Sequence, residues 1–396
     1  MKPRSIDTKL LLLNFNQGIF FGYTWAVLGP YLKALGYSGL VFGVLGGTSI
    51  LFSSISTILA GIISDLKDSK IVLILGSILY SIVFILLYMP NLPILITAYI
   101  LLGTSNGFLM TGMDIYTSKI GKDETLHYTF SYVRSAMSFG GAIGSFMGWL
   151  PVLFSLKLGR DIIFSYRCAF LVIFFFALTS IIASIRLRRL RNIRTSNNKF
   201  SFRKILALKE LGRYYNIVIT STLISLGASM SIYNISYYFA TKYNVTSGEV
   251  GSIFGLQQLI MAIIMIKLPN IADKFGGPLR TYLLTTMSSI PLLIAITLVN
   301  NYFIASTLYL IRSILMNVSS PLYTAFALSL VPRDKRGIAT SILNLSSRIP
   351  TSIGRVIGGW LLDIDYELPL RITALVYSIS LAFLAICFKD YLRRKY

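Results

Sequence analysis

The chain has 396 residues, 55% of them hydrophobic and only 13% charged, with a formal charge of +22. Soluble domains carry roughly twice that charged fraction and cannot hide so much apolar side chain, so the composition excludes a soluble globular protein and points to a membrane protein. The basic excess would suit nucleic acid only on a folded soluble face; no such face is visible, and no nucleic-acid partner is expected.

A spanning helix needs roughly 20 mainly apolar residues. On that criterion about twelve spans follow in chain order, starting near Leu10, Gly39, Ile71, Pro93, Tyr128, Phe164, Tyr214, Ser247, Pro278, Tyr302, Gly337 and Leu370. The N-terminus, "MKPRSIDTKL", leads into an apolar segment without a small-residue cleavage site, which makes the segment a first span rather than a signal peptide. The predicted class is an all-α membrane protein of about twelve transmembrane helices in two pseudo-symmetric six-helix bundles. Residues 1–186 form the first bundle, 187–213 a basic linker containing "RLRRLRNIRTSNNKFSFRK", and 214–396 the second bundle. Lys and Arg orient the helices: with both termini cytoplasmic, about 26 of the 37 fall on inner segments, about 6 on outer ones and about 5 within spans. The net charge is therefore a topology signal, with adhesion of the linker to anionic lipid a lesser possibility. Cys168 and Cys387 fall near opposite membrane faces and cannot pair.

An offset of about 209 residues superposes the halves, as repeat architectures require. Gly18 falls on Gly227, Lys33 on Lys242, Ser38-Gly39 on Ser247-Gly248, Val41 on Val250 and Gly46 on Gly255, while Asp65 lies one residue from Asp273. Parallel repeats of this kind flank a central substrate site near the bilayer midplane.

Two loops carry a family resemblance. Gly61-Ile-Ile-Ser-Asp65-Leu-Lys67 and Pro269-Asn-Ile-Ala-Asp273-Lys274-Phe-Gly276 follow spans two and eight, and "PRDKRGIA" follows span ten. The sequence resembles the major facilitator superfamily over essentially its whole length. The resemblance implies a transporter fold in which helices one, four, seven and ten line a cavity. It also implies that Gly61, Asp65, Asp273, Lys274 and Asp114 serve gating contacts. The cation for Asp114 is Lys67, Lys70 or Arg134. A glycine there lets two helices approach closely, and a carboxylate at a cytoplasmic helix end binds neighbouring helix N-termini and cations. Gly144-x-x-x-Gly148 and Gly354-x-x-x-Gly358 have the spacing of a close helix seam, and the resemblance places it between the halves.

No phosphate-cradling loop, no Cys/His cluster and no G-x-S-x-G elbow appears, and the single histidine, His127, lies in a predicted loop. An enzyme, a metal and a cofactor are therefore not expected. Polar residues inside spans are the candidates for substrate contact, since burying them without a partner or a wet cavity is costly. They are Asn14, Gln17 and Thr24 in span one, Ser229, Tyr233 and Ser236 in span seven, Gln257 and Gln258 in span eight, and Arg312 and Asn317 in span ten.

Span eleven adds Arg348 and Arg355, separated by about 20° around a helix and roughly 10.5 Å along it, on a stripe with Asn344 and Thr351. Arg134 and Lys267 are the other basic residues in or beside spans, and Asp114 is the one clearly intramembrane acid. Deep arginines without an evident carboxylate predict a cavity biased toward anions, because a planar guanidinium suits carboxylate or phosphate. Ordinary helix–helix hydrogen bonding remains open for each Asn, Gln or Ser.

The expected function is secondary transport of a small solute, with organic or inorganic anions favoured, by a monomer in the plasma membrane. A proton-coupled exporter of drugs or hydrophobic metabolites stays open, although no titratable carboxylate sits deep in helices one, four, seven or ten. A channel and a non-transporting receptor of the same fold remain as readings of another class.

Overall fold

A computed structural model describes residues 7–120, 126–189, 212–274, 277–332 and 336–393. The described residues are helical throughout, with no strand. The first half supplies α1 (Thr8–Ala34), α2 (Gly39–Leu66), α3 (Ser69–Leu87), α4 (Leu92–Ile120), α5 (Leu126–Phe146), α6 (Leu150–Leu158) and α7 (Ile162–Arg186). The second supplies α8 (Tyr214–Ser231), α9 (Ile235–Lys242), α10 (Ser247–Lys274), α11 (Pro278–Thr297), α12 (Tyr302–Val318), α13 (Ser320–Ser329), α14 (Arg336–Ile364), α15 (Leu368–Cys387) and a short α16 (Lys389–Arg393). Short 3-10 turns, Met147–Trp149 and Ile232–Asn234, join α5 to α6 and α8 to α9.

Nine helical stretches among the described residues are long and apolar enough to cross a bilayer. Three more rods, α1, α10 and α14, have the length, at 27, 28 and 29 residues, and carry much of the chain's intramembrane polarity. Every rod starts within two residues of its predicted start. Local chemistry explains several starts: the side chains of Asp7, Ser38, Asp68, Asp161 and Asn301 each accept a hydrogen bond from a first-turn backbone N–H.

The helices fall into two compact units. One contains residues 1–195 with 236–259, the other 196–235 with 260–396. Within the first unit α1 packs on α5, α4 on α2 and α3, and α7 on α1 and α3. Within the second, α8 packs on α14 and α15, and α11 on α12 and α15. First span to fifth, third to fourth, and sixth to first and third thus recur one repeat later, so the 209-residue echo describes packing as well as letters.

Glycine sets the closest of these contacts. A Cβ on Gly140 or Gly144 would lie 1.9 or 2.1 Å from the carbonyl oxygens of Phe15 and Ile19 on α1. One on Gly358 would lie 1.9 Å from the Met230 carbonyl on α8, and one on Gly354 2.1 Å from Ser229 Oγ. The expected seam between halves is therefore corrected: Gly144, Gly354 and Gly358 pack inside their own halves, and Gly148 alone of the four meets the other half, at Ser247. Backbones approach wherever two glycine-bearing faces meet, and sequence spacing does not say which helix is opposite. Gly61 has nothing within 4 Å of a Cβ, so the close approach expected there is absent from this structure.

Candidate functional site

The second half assembles a tyrosine–arginine cluster inside its own unit. Arg312, on α12, is 1% exposed. Its Nη2 donates to the hydroxyl of Tyr377 on α15 at 3.2 Å, and its guanidinium carbon lies 5.5 Å from that ring's centroid. Its Nε is buried with no hydrogen-bond partner. Tyr309, one helical turn before it, is 2% exposed and within electrostatic reach of both Arg312 and Tyr377. Tyr233, in the turn that interrupts the seventh span, is within reach of Arg348, Arg355 and Tyr377. The two arginines seven residues apart on α14 therefore both lie within electrostatic reach of one tyrosine, and Tyr377, which accepts from Arg312, lies within reach of the same tyrosine.

The turn at Ile232–Asn234 is held by Asn234, which is wholly buried. Its Nδ2 donates to the carbonyl of Arg355 at 3.1 Å and to that of Met230 at 3.4 Å. A helix interrupted in hydrocarbon must satisfy the carbonyls it frees, and a side-chain amide does so here. The same bond ties the backbone under Arg355 to the turn that presents Tyr233. Arg348 and Arg355 are half-buried, whereas Arg312 is fully buried. Ion pairs of the described residues include Asp114–Arg134, Arg213–Asp390 and Arg371 with Asp365 and Glu367. Arg312 belongs to none of them.

The other predicted contacts are dispersed. Asn14 spends its amide on the Leu10 carbonyl at 2.9 Å, Asn317 on that of Ser313 at 2.8 Å, and Thr24 its hydroxyl on that of Phe20 at 2.7 Å. These are bonds within one helix. Gln17 is 2% exposed, and its Oε1 has no partner. Gln257 and Gln258 are half-buried on α10. Of the gating residues, Asp114 accepts from Arg134 Nη2 at 2.8 Å, both side chains nearly half exposed, so Arg134 is its cation. Asp65 is exposed at the end of α2. The side chains of Asp273, Lys274, Lys267 and His127 lie outside the described residues.

Sequence reasoning missed Tyr309, Tyr377 and Asn234. Tyr309 stands three residues before Arg312, a same-face spacing that was available as a signal. Tyr377 carries no local signal, because only packing of α15 against α12 brings it to the guanidinium. Among the described residues no cluster of three metal-ligating side chains occurs.

The profile described as Major Facilitator Superfamily matches residues 10–354 and 217–395. The chain belongs to that superfamily. It is 22% identical over 370 residues to an uncharacterized transporter of the same type from Methanocaldococcus jannaschii, covering 89% of this chain and 90% of the relative. It is 23% identical over 395 residues to the quinolone resistance protein NorA of Staphylococcus aureus, covering 95% of each. The crystal structure of the nucleoside transporter NupG superposes with a TM-score of 0.75 at 15% identity, over 98% of this chain and 100% of that one, which establishes a shared fold. The protein is a multi-pass membrane transporter of the superfamily, not an enzyme.

Proposed function

We propose that the protein is a secondary transporter of small organic anions, working by alternating access in the plasma membrane with both termini cytoplasmic. One observation carries the choice of charge: Arg312 is buried at 1% exposure, belongs to no ion pair among the described residues, and leaves its Nε without a hydrogen bond. A cation so placed costs several kcal/mol relative to water and is retained where it does work. In this reading Arg348 and Arg355, being reachable, contact the cargo's acidic group. Arg312 and its tyrosines add positive potential, and the aromatic rings suit a cargo with an apolar body. The lysine and arginine bias supports the orientation.

The test is flux in proteoliposomes against a panel of aromatic carboxylates, organic phosphates and amphipathic cations. Saturable anion flux, reduced at least about tenfold by Arg355→Gln, is expected; flux of cations alone would overturn the reading. A second reading, export of hydrophobic drugs, is favoured by the name of the staphylococcal relative and its coverage of the full chain. The same panel decides between them.

A further inference from the structure

Arg348, Gly354 and Gly358 on α14 repeat the spacing of Arg134, Gly140 and Gly144 on α5. The packing repeats as well. Gly140 and Gly144 meet the carbonyls of Phe15 and Ile19 on α1, while Gly354 and Gly358 meet those of Leu226 and Met230 on α8. Arg348 is therefore the second-half counterpart of Arg134, and the place of Arg355 is held in the first half by Gly141.

The two halves use this position differently. Arg134 donates to Asp114 on α4 at 2.8 Å. The stretch that takes the place of α4 in the second half, Tyr302–Ser329, contains no Asp or Glu. From Tyr214 to Leu362 the acids are Glu249, Asp273 and Asp334, found in the first turn of α10, in its last turn and between α13 and α14. Away from helix ends, these spans hold Arg312, Arg348 and Arg355 and no acid. Arg348, Arg355 and Tyr233 are half-buried and so reachable, and Tyr233 lies within electrostatic reach of both arginines.

We infer that Arg348 and Arg355 are the two arms of one clamp, and that the cargo is a diacid, with one carboxylate on each guanidinium and Tyr233 beside both. The inference rests on the anion reading above and narrows it to cargo with two separate acidic groups. Its logic is charge and geometry. A carboxylate offers its two oxygens to one planar fork, and roughly 10.5 Å of helix rise separates the backbones from which the two forks start. Filling both forks therefore takes two acidic groups on one molecule. A monoanion satisfies one arm and leaves the other cation half-buried without charge compensation, so the site selects against it. Asp114 does this work for the matching arginine of the first half, where the second arm is a glycine.

The experiment titrates the purified full chain in detergent, by calorimetry near neutral pH, with phenylsuccinate, its monomethyl ester and phenyl phosphate. The ester keeps the shape of the diacid and removes one charge; the phosphate puts both charges on one head. The parent should bind phenylsuccinate at least about tenfold more tightly than the ester, the weight of one charge-assisted hydrogen bond. Arg348→Gln and Arg355→Gln should each bring the ratio of the two affinities to within about twofold of unity, since either change leaves a single arm. The comparison in the parent needs no variant, so it decides even if a variant does not fold. Equal affinity of the parent for diacid and ester overturns the clamp and leaves the anion reading standing. Tighter binding of phenyl phosphate than of phenylsuccinate, or a diacid advantage that survives in either variant, does the same. Binding of amphipathic cations with no response to any of the three anions overturns the anion reading and the clamp together.

Discussion

Replacing Arg312 by methionine separates the two explanations of a sealed guanidinium. A buried cation without a carboxylate costs several kcal/mol, and here the visible compensation is one hydrogen bond to a neutral hydroxyl and one ring. A hydrogen bond to a charged group returns about 1.5–3 kcal/mol and a desolvated ring contact about 1–2 kcal/mol. Methionine removes the desolvation cost and fills similar volume, but leaves the Tyr377 hydroxyl without its donor, about 1 kcal/mol lost. The expected net change is a gain of about 1–2 kcal/mol, or roughly 1–4 °C in melting temperature. Scanning fluorimetry in detergent measures the first quantity, and anion flux in proteoliposomes, expected to fall at least tenfold, measures the second. A melting temperature lowered by more than about 5 °C would make Arg312 a prop between α12 and α15 and refute the argument. Unchanged flux would remove it from transport.

Arg355→Lys should behave like Arg355→Gln in raising the KM for a carboxylate roughly tenfold, because a point charge does not reproduce the planar fork; restoration by lysine would show that charge alone matters. Gly144→Ala drives a Cβ to within 2.1 Å of the Ile19 carbonyl and should sharply reduce folded yield by fluorescence-detected size exclusion, whereas Gly61→Ala, with open space around it, should leave yield unchanged or improved. Asp114→Asn should shift stability by less than about 1 kcal/mol in a thermal melt, since both members of its ion pair are nearly half exposed. Asn234→Ala should cost about 1–3 kcal/mol, because it strips the carbonyls of Arg355 and Met230 of their donor; a melting temperature equal to the parent's would show that the turn satisfies itself.

A bilayer acts on each segment alone, and the order of residues records that action directly. Hydrocarbon thickness sets the length of a span and the cost of charge marks its ends, so all twelve rods begin where composition places them. The repeat offset and the placing of Arg312, Arg348 and Arg355 on long helices were legible for the same reason, since they are properties of position along one chain. Which helix faces which was settled by packing in three dimensions. Gly144 and Gly354 carry identical spacing to any seam, yet each meets its own half, because the partner is whichever backbone can approach that face. Tyr377 comes to Arg312 from 65 residues away, and Trp149 to Ser252 from 103. Contacts of that separation leave no local pattern, since nothing in a helical period relates two residues on different helices. Span position is thus fixed one helix at a time, while the site exists only once the helices pack.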